Sequence, residues 1–416
     1  MIPPQIAPGH ELTLLRKGAD FFPTLVAAID GSYREVRLET YIFHFDPSGE
    51  RVAAALVRAA RRGVAVYLVM DGIGTPEVPD HWVQQFDGAG VHWHRFSPLG
   101  PLGLLIPGQW RRLHRKLCVV DMHIGFCGGI NIVDDYCDPA HGALDSPRFD
   151  FAVRVSGPLV DDMHRAMAHF WERLVVSHQL EHLQFERARQ MLKDTWDALP
   201  TPLIGRLHRG QDHTGASDVL PALPVGAQAV LVLRDNLQNR NRIERAYRKA
   251  IADARGEILI ANAYFLPGGK LRRALIHAAR RGVRVGLLVQ GRYENFMQFH
   301  ASRPVLGALL AAGIEIHEYS VSFLHAKVAV VDGYWATVGS SNLDPLSLLL
   351  AREANVVVED RAFATELRTC LTNAMQTQGT LLNAQALANR PLRQRVLDHI
   401  AYAGMRLLLF LSGRRY

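Results

Sequence analysis

The chain repeats itself. His114-Arg115-Lys116-Leu117-Cys118-Val119-Val120-Asp121, followed by Gly128-Gly129-Ile130-Asn131, returns 211 residues later as His325-Ala326-Lys327-Val328-Ala329-Val330-Val331-Asp332 with Gly339-Ser340-Ser341-Asn342. Both copies read H-x-K-x4-D-x6-G-x2-N, and five identities at one spacing do not arise twice by chance. The repeat also extends upstream. Glu39-Thr40-Tyr41-Ile42-Phe43 aligns with Asn262-Ala263-Tyr264-Phe265-Leu266, and Ala59-Ala60-Arg61-Arg62-Gly63-Val64 recurs unchanged as Ala278-Ala279-Arg280-Arg281-Gly282-Val283. Gly90 to Ser97 matches Gly313 to Ser320. Whatever this chain folds into must consist of two similar halves.

Each half reads as strand, helix ending at Arg-Arg-Gly, strand (Val64 to Met70; Val283 to Val289), helix, strand, and then the motif strand. Gly63 and Gly282 suit the left-handed cap that ends such a helix. Beyond the motifs, Phe149 to Val155 and Glu353 to Val358 read as further strands, each followed by a helix. Strands alternating with helices predict an α/β fold whose sheets are largely covered.

On an extended motif segment the histidine and lysine, two apart, project from one face, and the apolar residues after them bury the strand. A lone His and Lys would be an ordinary polar edge. Duplication changes the reading: two such strands facing each other across a pseudo-twofold crowd two imidazoles and two ammonium groups together, which is costly unless an anion sits among them.

Composition narrows the partner. A chain of 416 residues, 48% hydrophobic, can bury one large or two medium cores. Its formal net charge of +7 points to an anionic partner, lipid headgroups or nucleic acid, without separating them. Cys118, Cys127, Cys137 and Cys370 show neither metal-like spacing nor a disulfide ladder, and three lie in or near apolar strands, as buried thiols of a reducing compartment would. Met1-Ile2-Pro3-Pro4 begins no signal peptide and no apolar run is long enough to span a bilayer, so the expectation is a protein neither exported that way nor integral. His178 and His182 share a helix face but lack a third ligand, which favours a solvated face over a metal site. The expected divisions are a first half over 1–195, a Pro/Gly-punctuated connection over 196–218, a second half over 219–379 and a tail over 380–416.

Two segments favour lipid over nucleic acid. Between Ser97 and His114 the first half is 12 residues longer than the second between Ser320 and His325. This insertion runs Pro98-Leu99-Gly100-Pro101-Leu102-Gly103-Leu104-Leu105-Ile106-Pro107 and then Trp110-Arg111-Arg112, either folding into the core or forming an apolar lip at the site mouth. In the tail, Arg390, Arg393, Arg395, Arg406, Arg414 and Arg415 interleave with Leu392, Val396, Ile400 and Leu407 to Leu411. That basic amphipathic pattern suits either a helix packed on the domain or one lying on an anionic membrane.

The doubled motif resembles the two HKD motifs of the phospholipase D superfamily, over most of the chain. Within it, the length, the missing N-terminal span and the basic tail are most similar to bacterial cardiolipin synthases of the B type. The resemblance implies two phospholipase D-like α/β/α sandwich halves related by pseudo-twofold symmetry, with the active site between them. It implies that one imidazole attacks a phosphodiester phosphorus while the other protonates the leaving alcohol and later deprotonates the incoming one. His114 is assigned as nucleophile and His325 as acid/base, following related enzymes. Lys116 and Lys327 would hold the nonbridging oxygens, with Asn131 and Asn342 donating further hydrogen bonds. Ser340 fits the family's Gly-Ser-x-Asn pattern among the substrate contacts, whereas Gly129 stands in its place in the first copy.

Asp121 and Asp332 complete the catalytic motifs by resemblance, although their position seven residues along an apolar strand also fits a turn anchor. Asp150, downstream of His114, and Glu353, downstream of His325, match the carboxylates that orient the imidazoles. No metal and no cofactor are expected. The implied function is a cardiolipin synthase moving a phosphatidyl group from one phospholipid to phosphatidylglycerol, peripheral on the cytoplasmic face of the bacterial inner membrane. Its implied partners are phosphatidylglycerol and the membrane surface, without nucleic acid. A hydrolase of phospholipid or nucleic acid, and a non-catalytic membrane-binding protein, are the alternatives.

Overall fold

The repeat folds into a palindromic sheet. The computed structural model describes residues 6–98, 111–139, 141–194, 226–235, 239, 241–293, 296–344 and 351–411. The first half supplies β1 (Ala7–Arg16), β2 (Glu35–Thr40), β3 (Ala65–Asp71), β4 (His92–Phe96), β5 (Arg112–Leu113), β6 (Leu117–Val120) and β7 (Ile124–Gly128). A small hairpin, β8 (Cys137–Asp138) and β9 (Gly142–Ala143), precedes β10 (Phe151–Ser156). The second half supplies β11 (Ala227–Arg234), β12 (Glu257–Asn262), β13 (Arg284–Gln290), β14 (Glu315–Tyr319), β15 (Lys327–Val331), β16 (Trp335–Gly339), β17 (Ala351–Glu359) and β18 (Gly379–Leu381).

From the centre outward the first half runs β1, β10, β7, β6, β2, β3, β4, and the second runs β11, β17, β16, β15, β12, β13, β14. The order is the same in both. Strands β1 and β11 pair antiparallel through Ala7 with Ala229 and His10 with Ala227, joining the halves into one sheet across an irregular register. Within each half β2–β3–β4 and β12–β13–β14 are parallel, and the motif strands β6 and β15 run antiparallel to β2 and β12. The residues that precede β6 and β15 therefore sit at the carboxyl ends of the parallel strands, where α/β sheets present their ligands.

Local chemistry fixes these elements. Helices α1 (Lys17–Asp30), α2 (Pro47–Arg61) and α3 (Asp80–Ala89) belong to the first half; α5 (Arg242–Asp253), α6 (Gly269–Arg280) and α7 (Phe296–Leu310) belong to the second, with α4 (Leu159–Asp194) between. Asp46 caps α2 by accepting from Ser48 N and Gly49 N, and Pro47 takes the first helical position, where its missing N–H is harmless. Both Arg-Arg-Gly segments end their helices alike: Gly63 and Gly282 have φ 89°, and Val64 N and Val283 N donate back to Ala59 O and Ala278 O at 3.1 Å.

Among the described residues two apolar clusters stand out, one in each half. One gathers Leu25, Ile29, Val36, Leu56, Val66 and Leu68; the other Ile258, Ile260, Leu275, Leu287, Leu309 and Ile316. Each fully buried side chain of this size contributes roughly 1.5–3 kcal/mol. A C-terminal helix, Leu392–Leu411, packs on α7 and sinks Ala401 and Met405 into the second cluster. Its Asp398 is buried, accepting from His300 at 2.6 Å and pairing with Arg390 at 2.7 Å. The tail thus has a domain-facing side, while Leu392, Val396, Ile400 and Leu407 stay exposed.

The chain divides into two compact units, Met1–His164 with Gly226–Tyr416, and Arg165–Val225. In the second, α4 continues through His178 and His182 to Asp194, with its later side chains outside the described residues. The Pro/Gly-punctuated connection, most of the apolar insertion (99–110) and Arg414 and Arg415 also lie outside the described residues. No described helix is long and apolar enough to cross a membrane. All four cysteines are free thiols, Cys118 and Cys127 buried.

Candidate active site

Each motif histidine is held by the opposite half. His114 N donates to Arg352 O at 3.0 Å, and its Nδ1 meets both carboxylate oxygens of Glu353 at 3.0 Å. Across the pseudo-twofold, His325 N donates to Phe149 O at 2.9 Å and its Nδ1 meets Asp150 Oδ2 at 2.6 Å. The sequence assigns each carboxylate to the motif histidine of its own half; the structure crosses them. The reason is local: Asp150 immediately precedes β10 and Glu353 lies near the start of β17, and the carbonyl one residue before each accepts from the backbone N–H of the other half's histidine.

With Nδ1 committed to a carboxylate, Nε2 is the nitrogen each ring offers to a substrate. Both lysines lie close enough to act on both rings. Lys116 Nζ donates to His114 O at 2.9 Å, and Lys327 Nζ to His325 O. Both are buried. Tyr41 closes one wall, its ring centroid 4.9 Å from that of His114 and 5.4 Å from Lys116 Nζ.

Crowding and burial shape the charges. Burial, with Lys116 and Lys327 nearby, pushes His114 down to about 4 although Glu353 opposes this. Burial, Lys327 and Lys116 drive His325 well down. Lys116 falls to about 7, chiefly by burial and then by Lys327, against the pull of Glu353. The two carboxylates part company. Burial raises Asp150 to about 7 against Lys327 and Lys116. It raises Glu353 too, yet His114 and Arg234 outweigh it and leave that carboxylate below its usual range. A phosphodiester anion entering here would favour the charged form of the lysines.

Asn131 is buried, with Oδ1 accepting from Ile42 N at 3.2 Å; Asn342 is buried, and its Oδ1 has no hydrogen-bond partner among the described residues. The other expected residues hold different posts. Ser340 Oγ donates to Glu353 Oε2 and accepts from Ala354 N at 3.1 Å, so it fixes the carboxylate rather than meeting a substrate. Gly129 replaces it in the first half because a Cβ there would stand 2.2 Å from Asp150 Oδ1. Asp121 and Asp332, expected with the catalytic set, lie at the far ends of β6 and β15. Asp121 accepts from the backbone N–H groups of Tyr33, Arg34 and Glu35, and Asp332 from those of Arg255, Gly256 and Glu257, at 2.8–3.0 Å. They anchor turns, at φ 52° and 51°.

Sequence reasoning passed over several neighbours. Arg234, fully buried at the end of β11, lies in register with Glu353 and helps keep it ionised. Asp71 Oδ2 accepts Leu113 N at 2.7 Å, and Gln290 Oε1 takes Leu324 N in the same way at 3.4 Å, each fixing the residue before a histidine. Arg148 ties Asp134 O and Cys137 O and acts on His325. Only Tyr41 left a signal, in its match to Tyr264. Among the described residues, His44, Asp46 and Cys137 bring three potential metal ligands within 4.8 Å. They are not motif residues, and both oxygens of Asp46 already serve backbone N–H groups of Ser48, Gly49 and Asp134.

A duplicated α/β scaffold that brings together two imidazole–carboxylate pairs and two buried lysines defines a phosphodiester-handling centre of the histidine–lysine kind. The family model described as "Cardiolipin synthase, PLD-like domain" matches residues 25–144 and 247–374, well over half the chain. The chain belongs to that family, within the phospholipase D superfamily. It is 37% identical over 360 residues to cardiolipin synthase B of Escherichia coli K12, spanning 86% of this chain and 79% of that protein. Cardiolipin synthase B of Salmonella typhi is 37% identical over 90% of this chain and 81% of its own, and a cardiolipin synthase of Geobacillus kaustophilus 27% over 94% and 71%. Among solved structures, the phosphatidylserine synthase of Haemophilus influenzae superposes with a TM-score of 0.69 at 12% identity, covering 98% of this chain and 96% of that one. The fold is shared; at that identity nothing more follows.

Proposed function

We propose that the protein makes cardiolipin, transferring a phosphatidyl group from a donor phospholipid to phosphatidylglycerol through a phosphohistidine. The observation that carries this is the pair of crossed dyads facing two buried lysines, in a chain 37% identical to cardiolipin synthase B of Escherichia coli over most of its length. His114 Nε2 attacks phosphorus, and the P–O bond to the donor's alcohol breaks as His325 delivers a proton to that oxygen. His325 then takes the proton of a glycerol hydroxyl, whose oxygen displaces His114 from phosphorus. Glu353, held ionised, suits the nucleophile's dyad by stabilising the imidazolium that forms; Asp150, raised to about 7, suits the dyad that passes a proton back and forth.

Lys116 and Lys327 oppose charge on the nonbridging oxygens, with Asn131 and Asn342 beside them; this is electrostatic stabilisation already in position before reaction. The exposed stripe Leu392, Val396, Ile400 and Leu407, flanked by exposed Arg393, Arg395 and Arg406, supports a peripheral stance on an anionic membrane, the cytoplasmic face of an inner membrane.

Purified protein incubated with labelled phosphatidylglycerol vesicles, with and without chelator, tests the reading. Wild type should yield cardiolipin and glycerol at the same rate in both, and His114→Ala none. Phosphatidic acid as sole product would identify a hydrolase, and turnover of DNA without lipid a nuclease.

A further inference from the structure

The second half contains a cavity that the phosphoryl chemistry does not use. It is open to solvent and narrow, with room for only a few water-sized groups. Phe265, Leu266, Val289, Leu306 and Met405, all nearly inaccessible, supply apolar walls. It begins beside the centre: Ala263, in its lining, donates through its backbone N to Ala326 O at 3.0 Å, between His325 and Lys327. Gln290, which holds Leu324 ahead of His325, lines it too.

Two polar atoms of lining residues are unsatisfied among the described residues, Arg303 Nε and Gln290 Nε2, both donors. Arg303 is 8% exposed; one terminal nitrogen pairs with Glu318 and its guanidinium stacks 4.1 Å over Phe299, but Nε has no hydrogen-bond partner among the described residues. A buried N–H left unpaired is destabilising unless a ligand brings an acceptor. The ligand suited to these walls is therefore mostly apolar with an acceptor oxygen at one end. The helix closing the cavity with Met405 is also the one whose outer face carries the apolar stripe beside arginines.

We propose that this cavity takes the first carbons of one acyl chain of a reacting phospholipid, with Arg303 Nε donating to its ester carbonyl. The inference rests on the phospholipid reading above and adds where a chain is held: by the second half, through α7 and the C-terminal helix. The halves, alike at the histidines, then differ in how they grip lipid.

Transfer of a chain from bilayer to cavity exchanges one apolar medium for another, so the test needs lipid monomers. Phosphatidylglycerols with two four- to six-carbon chains, below micelle formation, are followed by lipid consumed, whatever the product. Each step adds one methylene to the held chain, worth about fourfold in kcat/KM from the burial coefficient. The wild type should show that slope. Ser302→Trp and Met405→Trp, which fill the cavity from different elements, should flatten it to less than about twofold per step, each slope being internal to its own variant. A flat series in the wild type, or the full slope in both variants, would overturn the proposal. So would variants that lose turnover of soluble bis(p-nitrophenyl) phosphate as well, since the cavity would then be scaffold for the histidines. A wild type that turns over this diester but no lipid would instead defeat the phospholipid reading, and the cavity's assignment with it. Cardiolipin or phosphatidic acid as product leaves the slope unaffected, so the two readings fail separately.

Discussion

Ser340 and Gly129 occupy equivalent places, and the carboxylates behind them explain why one has a hydroxyl and the other nothing. Glu353 is the longer side chain and needs Ser340 to fix its end; Asp150 already fills the space a Cβ at 129 would take. Ser340→Ala should lower kcat roughly 10- to 100-fold, as loss of an orienting partner does. Gly129→Ala should destabilise by about 1–3 kcal/mol, as overpacking does, read by urea unfolding. The lysine gives a pH prediction. Lys116 must be protonated to hold an anion and its folded pKa is lowered to about 7, so its charged fraction falls as pH rises through that value. For a soluble diester, kcat/KM should fall about tenfold per unit on the alkaline side of that pKa. The limb for kcat should lie higher, because bound anion favours the charged lysine, and Lys116→Arg should carry the kcat/KM limb upward. The histidines and lysines were legible because duplication marked them. Arg234 was not: one arginine ending an apolar strand resembles any other strand end until register sets it beside Glu353.

At the scale of elements, the order of strands and helices follows from hydrophobic period and from the Arg-Arg-Gly caps, and the strands beginning near Val64 and Val283 begin one residue later. The two-residue β5, the β8–β9 hairpin and the three-residue β18 lack enough residues for any period to show. The crossing of Asp150 and Glu353 was hidden for another reason: distance along the chain ranks neighbours within a half and is silent on which strand end reaches over the centre. The turn anchors behave as elements rather than as chemistry. Asp121→Ala, which strands three backbone N–H groups, should cost about 1–3 kcal/mol while leaving KM for a soluble diester unchanged. A rise in KM without loss of stability would return Asp121 to the site.

For the whole molecule, two histidine centres become one because the halves pair across the middle, β1 with β11 and β5 with β17. That closure depends on tertiary pairing of strand edges, which the sequence does not spell out. The C-terminal helix adds a second whole-molecule property, burying one side and leaving Ile400 62% exposed on the other. Ile400→Glu should weaken partition onto anionic vesicles by tenfold or more, given about 1.5–3 kcal/mol for a buried isoleucine side chain; cosedimentation at fixed lipid reads it. Unchanged partition would remove this face from the membrane.

The crossed dyads also tie the halves together. A single half carries a histidine and a carboxylate, yet its own carboxylate points to a neighbour's ring. Such a half, alone, holds no complete dyad; two copies back to back hold two. Each half therefore completes its dyad only beside the other, so the fused chain holds as one molecule what two separate copies would hold only by meeting.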